Sequence, residues 1–274
     1  MVGGSGPTDR DNDTYFPPIR GHLLDAGIAV LSYDKRGVGT SSGDWRDATI
    51  DDLATDAGAA LDFLRAQPGV RPDGVGLFGH SEGGWVVLRA AASRDDVPWV
   101  ITNSCPGTTP AAQERHALAH ALRHSADIAP RDVDATLIIY DHLCEAGRRD
   151  ADLAEATRLV HTAPVPQAFG DYWNEKDERL WKFTKRKQDH NPIADALRLR
   201  RPHLAIFGAA DVLVPVADSI HLFSAAACQP DRHPRASLSI ELFPHTDHRI
   251  QLTGTAQLAA GYLPTLSRWI HSTA

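Results

Sequence analysis

The sequence is poor in cysteine and almost without methionine: three Cys and one Met in 274 residues. Cys105, Cys144 and Cys228 are far apart and odd in number, with no CxxC pair and no zinc-ligand spacing. A disulfide framework and a structural zinc site are therefore excluded, and buried or inert thiols in a reducing compartment are expected. No uninterrupted apolar run approaches the ~18 residues of a membrane span, and no positively charged then apolar leader opens the chain. Basic residues are outnumbered, 28 against 35 acidic, for a formal charge of -7. That balance argues against nucleic acid as the main partner. The expectation is a cytoplasmic protein acting on a small molecule, with neither membrane nor nucleic acid as partner.

What is present is ordinary for a globular enzyme, 42% hydrophobic and 23% charged residues. Short β-branched apolar runs alternate with segments of helical period, the pattern of an α/β protein with a mostly parallel sheet covered by helices. Five strands are predicted: Ile28–Tyr33, Val75–Phe78, Trp99–Thr102, Leu204–Phe207 and Leu238–Leu242. Ile50, Leu53, Ala54, Ala57, Leu61 and Leu64 predict a helix capped by Thr49, with Asp51 and Asp52 in its first turn. Tyr262 to Ile270 predicts a closing amphipathic helix. From Pro106 to about Arg201 the patterns are helical: Ala111–His124, Arg131–Ala146, Ala151–His161 and Glu178–Lys187, with Ala163–Gly170 as a flexible middle. Residues 1–105 and 202–274 are thus expected to form the core, and 106–201 a helical cap inserted in it.

Gly79-His80-Ser81-Glu82-Gly83 follows a predicted strand and precedes the helix-compatible run Trp85–Ala92. A serine on so sharp a turn projects its hydroxyl away from the sheet, and the residues two before and two after it must lack bulk. Gly-x-Ser-x-Gly in this setting resembles the nucleophile elbow of the α/β-hydrolase fold. A serine hydroxyl needs a base to take its proton and a carboxylate to orient that base. In that fold these follow in the order acid, then histidine, on loops after later strands. Asp211, directly after the fourth strand, is the expected acid, with Asp218 in a helix-like stretch as its rival. After the fifth strand His248 is the expected base and His245 the competitor. The oxyanion would meet the Glu82 N–H at the helix start and a second N–H, expected from Ser5 in Gly3-Gly4-Ser5-Gly6-Pro7.

Together these residues resemble bacterial esterases of the α/β-hydrolase superfamily that carry a Gly-Ser-Gly-Pro-x-Asp-Arg-Asp oxyanion loop, here Gly4–Asp11. Tyr33–Ser41, the elbow, Asn191-Pro192, Gly208–Pro215 and Phe243–His248 are similar to their other landmarks. The resemblance implies carboxylester hydrolysis by Ser81, Asp211 and His248, without metal or organic cofactor. It also implies that N-terminal strands are missing, because the family reaches this loop at the end of a strand, and only Met1-Val2-Gly3 precede it here. The expectation is a chain starting downstream of the strand between Ile28–Tyr33 and Val75–Phe78, the alternative being that another segment fills that gap.

Peptidase, thioesterase and acyltransferase chemistry on the same triad stay open, as does a non-catalytic ligand-binding descendant of the fold. A dehalogenase is disfavoured, since position 81 is Ser where that chemistry places Asp. Asp34, Lys35 and Arg36 read as a structural salt-bridge turn. His116, His120 and His124 share one helix face, with no Asp or Glu completing a metal-ligand set.

Overall fold

The computed structural model describes residues 1–163 and 165–273. They divide into two units, Met1–Thr108 with Asn191–Ala274, and Thr109–His190.

The first unit opens with α1 (Phe16–Asp25) and α2 (Ile50–Arg65). The Thr49 side chain accepts from Asp52 N (3.1 Å) and the Asp52 carboxylate accepts from Thr49 N (2.8 Å). This reciprocal cap satisfies two otherwise orphaned N–H groups. Then come β1 (Leu77–His80), α3 (Glu82–Ala92) and β2 (Val100–Asn103). After the second unit follow α9 (Pro192–Arg198), β3 (His203–Gly208), α10 (Val216–Ala227), β4 (Leu238–Phe243) and α11 (Tyr262–Thr273).

The four strands are parallel, in the order β1-β2-β3-β4. In β2 and β3 successive side chains alternate between two buried layers, whereas the edge strand β4 is partly exposed. Val100, Ala205 and Phe207 pack with α2 and α3 on one face; Ile101, Leu204 and Ile206 pack with α1 and α11 on the other. Because each strand runs the same way, the turns after β1, β3 and β4 open on one edge of the sheet.

The predicted strand at Ile28–Tyr33 does not form. A strand exists only where a neighbour completes its ladder, and among the described residues the one backbone donor reaching this segment is the Met1 ammonium, on Leu31 O at 2.6 Å. Ile28 and Val30 instead pack half-buried against the α1/α11 layer. Between them and Gly76–Phe78 lies a cavity of about 390 Å³. Beyond it Val2 makes a single parallel rung with Gly79, through Val2 N to Phe78 O (2.8 Å) and His80 N to Val2 O (3.0 Å).

At the start of β3, His203 is buried, its Nε2 2.8 Å from Thr102 Oγ1. Burial holds its pKa down to about 3. An unfolded chain takes up this proton as pH falls through about 6.5, while the folded one refuses it until about 3, so the unfolded state binds more protons across that window. Stability from this site is whole above pH 6.5 and declines below it. Between pH 6.5 and 5 the urea-unfolding free energy gap between wild type and His203→Gln should narrow by about 2 kcal/mol; a constant gap would contradict the assignment.

The second unit consists of α4 (Pro110–Arg123), α5 (Pro130–Arg148), α6 (Leu153–His161), α7 (Gln167–Asn174) and α8 (Glu178–Lys187). Its core joins Leu143, Ala156 and Val160 to Phe169, Trp173 and Trp181. The stretch expected to be a flexible middle contains the start of α7, anchored by the buried Phe169 and Trp173 one turn apart; Pro164, in the same stretch, lies outside the described residues. Residues 191–201, expected within the insertion, belong to the sheet unit, where α9 packs on α3 through Ala196.

Candidate active site

Ser81 stands between the last residue of β1 and the first of α3, at φ 54° and ψ -121°. Positive φ is a strained state for a serine, sustained only where the surroundings dictate it. Here the dictating contacts are close. A Cβ on Gly79 would lie 2.1 Å from Gly83 O, and one on Gly83 would lie 2.4 Å from Val2 O. Strand, turn and helix pack backbone to backbone, and Ser81 N is held on Asn103 O at 2.9 Å.

Asp211 sits in the turn after β3 with its side chain fully buried. Its Oδ1 accepts from the N–H groups of Leu213 (2.8 Å) and Val214 (3.1 Å), which fixes the carboxylate plane. Its Oδ2 is 2.7 Å from His248 Nδ1, across 37 residues of sequence. The loop after β4 is tied to the loop after β3 by Ala209 N to Phe243 O (2.9 Å) and Ala210 N to Thr246 O (2.8 Å). The two rivals stand elsewhere: Asp218 is exposed in the first turn of α10, and His245 is exposed at φ 57°.

Ser81 and His248 line one open cavity of about 810 Å³ together with Gly4, Ser5, His80 and Leu213. No hydrogen bond joins the Ser81 hydroxyl to His248 among the described residues; such contacts are often long before substrate binds. Ser5 N–H has no acceptor among the described residues, and Glu82 begins α3, where backbone N–H groups face outward along the helix axis.

A buried polar network behind the site has no counterpart in the sequence reading. Tyr15 and Tyr262 hydroxyls lie 3.0 Å apart, Tyr262 donates to Asn103 Oδ1 at 2.9 Å, and Asn103 Nδ2 is 3.3 Å from His80 Nδ1. The His80 ring lies 4.8 Å from the His248 ring and 4.7 Å from Tyr15. Burial, then the neighbouring His248 and Arg249, push the His80 pKa well below its ordinary value. It is thus a neutral wall behind His248. An Asn at the end of an otherwise apolar strand was the one sequence signal available.

The turn after residue 33 is indeed built of ion pairs: Arg10 to Asp34 at 2.6 Å, Lys35 to Glu82 at 3.0 Å, and Arg36 to Asp56. Among the described residues no group of three or more His, Cys, Asp or Glu is placed to hold a metal ion, and no helix is long and apolar enough to cross a membrane.

The fold is shared with solved α/β hydrolases. A monoacylglycerol lipase from Paleococcus ferrophilus superposes with a TM-score of 0.58 at 18% identity, covering 100% of this chain and 93% of the lipase. The alpha/beta hydrolase GrgF from Penicillium sp. sh18 does so with 0.63 at 18% identity, covering 100% and 88%. A stretch of 81 residues is 37% identical to the thiohydrolase aneE of Aspergillus aculeatus; it spans 29% of this chain and only 25% of the fungal protein. The family model for X-Pro dipeptidyl-peptidases (S15 family) matches residues 6–246, from the N-terminal loop through the strand that precedes His248. With nearly its whole length so matched, the chain belongs to the S15 peptidase family and is a hydrolase of the α/β-hydrolase fold.

Proposed function

We propose that the chain is a carboxylesterase that cleaves small-molecule esters through an acyl-enzyme on Ser81. The observation that carries this reading is the 2.7 Å contact of His248 Nδ1 with a buried, N–H-braced Asp211, on the cavity that Ser81 also lines. Asp211 holds the imidazole with its proton on Nδ1, leaving Nε2 free to accept. His248 takes the Ser81 proton as Oγ bonds to the ester carbonyl carbon, and the carbonyl electron pair moves onto oxygen. Glu82 N–H and Ser5 N–H stabilise that oxyanion. The tetrahedral adduct collapses, the C–O bond to the alcohol breaks, and His248 returns the proton to the leaving alkoxide. Water then repeats the sequence on the acyl-serine and releases the acid.

The family description favours a second reading, release of an X-Pro dipeptide. Such a reaction needs an anion to anchor the substrate's terminal ammonium. Three carboxylates line this cavity, and one of them is paired with a cation. Asp13 pairs with Arg249 at 3.0 Å, Asp9 accepts from the N–H groups of Asp11 and Asp13, and Asp247 accepts from those of Arg249 and Gln251. Backbone N–H donors leave the Asp9 and Asp247 charges in place, so these two carboxylates favour the peptide reading, and the choice falls to the substrate comparison below. A thioester acyl group would follow the same steps with a thiolate leaving.

The test uses the purified chain with p-nitrophenyl butyrate, a butyryl thioester and Ala-Pro-p-nitroanilide, alongside fluorophosphonate labelling read by mass spectrometry. Ester turnover with label on Ser81 is the expected result. Turnover of the anilide alone would replace the ester reading with the peptidase one. Folded protein that neither labels nor turns over any of the three would be a binding descendant.

A further inference from the structure

A trans peptide carries its C=O and N–H on opposite edges, so whatever grips the oxygen also aims the hydrogen. The peptide between Gly4 and Ser5 is gripped in this way. Lys35 Nζ donates to Gly4 O, which turns the Ser5 N–H away from the lysine. The backbone here runs against the elbow: a Cβ on Gly4 would lie 3.4 Å from Ser81 Cβ. The same ammonium is 3.0 Å from Glu82 Oε1, and Ser5 Oγ donates to Glu82 Oε2 at 3.1 Å. Lys35 and Glu82 side chains are 7% and 0% exposed. One ion pair therefore touches both peptides read above as oxyanion donors, Ser5 through Gly4 O and Glu82 through its own side chain.

The turn bearing Lys35 secures the loop further along as well. Lys35 N donates to Thr8 O at 3.0 Å, and the Asp34 carboxylate accepts from Arg10 N at 2.8 Å and from the Arg10 guanidinium. Burying an ion pair is a poor route to stability, since desolvation offsets most of the attraction. Its effect here is geometric and electrostatic. An unpaired Glu82 anion beside Ser81 would oppose the negative charge that forms on the substrate oxygen, and the Lys35 charge cancels it.

We propose that the buried Lys35–Glu82 pair is a positioning device for the oxyanion hole, holding the Gly4–Ser5 peptide with its N–H toward Ser81 and neutralising Glu82 where negative charge develops. The proposal rests on the reading of Ser81 as nucleophile. Lys35 and Glu82 act through the loop and do not touch the substrate with their charged ends.

The experiment compares wild type, Lys35→Met, and the neutral double variant Lys35→Met/Glu82→Gln, in which no buried charge is left alone and Gln can still accept from Ser5. Each is assayed for kcat and KM on p-nitrophenyl butyrate, for affinity toward a trifluoromethyl ketone that mimics the tetrahedral adduct, and for thermal midpoint. The double variant should fold and lose about 10²-fold in kcat, the scale of one lost oxyanion donor. KM should stay within about threefold, and ketone affinity should fall in step with kcat/KM. Lys35→Met, if folded, should lose more than the double variant, because it leaves the Glu82 charge in place. A folded double variant with wild-type kcat and ketone affinity overturns the proposal. So does a loss confined to KM and thermal midpoint, which is what a merely structural pair would produce. A wild type that fluorophosphonate does not label at Ser81 overturns the nucleophile reading itself, and the pair's catalytic role with it.

Discussion

Ser81→Ala should lower kcat for p-nitrophenyl butyrate by at least ~10⁴-fold and abolish fluorophosphonate labelling. The fold should be nearly untouched, because the Ser81 hydroxyl makes no hydrogen bond among the described residues. Alanine at φ 54° inherits the same strain as serine, so no compensating relaxation is expected. The measurement is steady-state hydrolysis with protein whose thermal midpoint matches wild type. Unchanged hydrolysis would place the reactive group elsewhere and remove the basis of the mechanism. The small activity that persists should come from the oxyanion donors and cavity alone.

Asp211→Asn should cost about 10⁴-fold in kcat, with little change in KM. The Oδ1 position keeps its two N–H donors from Leu213 and Val214, so the side chain stays in place. At the Oδ2 position the amide presents hydrogens instead of a lone pair. His248 Nδ1 must then accept, its proton moves to Nε2, and the ring has no free pair to take the Ser81 proton. Asp218→Asn is the matched control: the side chain is exposed in α10, and activity should stay within about twofold. Loss in Asp218→Asn with retention in Asp211→Asn would reverse the assignment of the acid.

Much of the sheet was legible because its inner strands are buried on both faces, which writes itself as short apolar runs such as Val100–Ile101 and Leu204–Phe207. Ile28–Tyr33 carries the same composition and forms no strand. Composition reports burial, whereas a strand is a relation between two backbones, and one segment cannot announce its partner. The elbow was legible for the opposite reason, since its constraint is local: backbone contacts around Gly79 and Gly83 leave no room for a side chain. The second half of the site was legible as order along the chain, one residue after each later strand, but not as the contact between Asp211 and His248. Tyr15, Asn103 and Tyr262 are far apart in sequence and share no spacing, so their buried network could not be read beforehand. Lys35 read as part of a salt-bridged turn, and only burial distinguishes an inward-facing ammonium from an outward one.

The sequential order of the four parallel strands has a kinetic consequence. Residues 81–99 join β1 to β2, whereas residues 104–202, which include the whole helical unit, join β2 to β3. Closing a connection roughly five times longer adds roughly 1.5 kcal/mol of loop entropy to the barrier if that connection is still unfolded. The pairs β1–β2 and β3–β4 should therefore zip first, and the central β2–β3 seam last. Folding of Thr109–His190 beforehand would shorten that search, making the inserted helices a tether that sets the speed at which the two half-sheets, one bearing Ser81 and the other Asp211 and His248, come together.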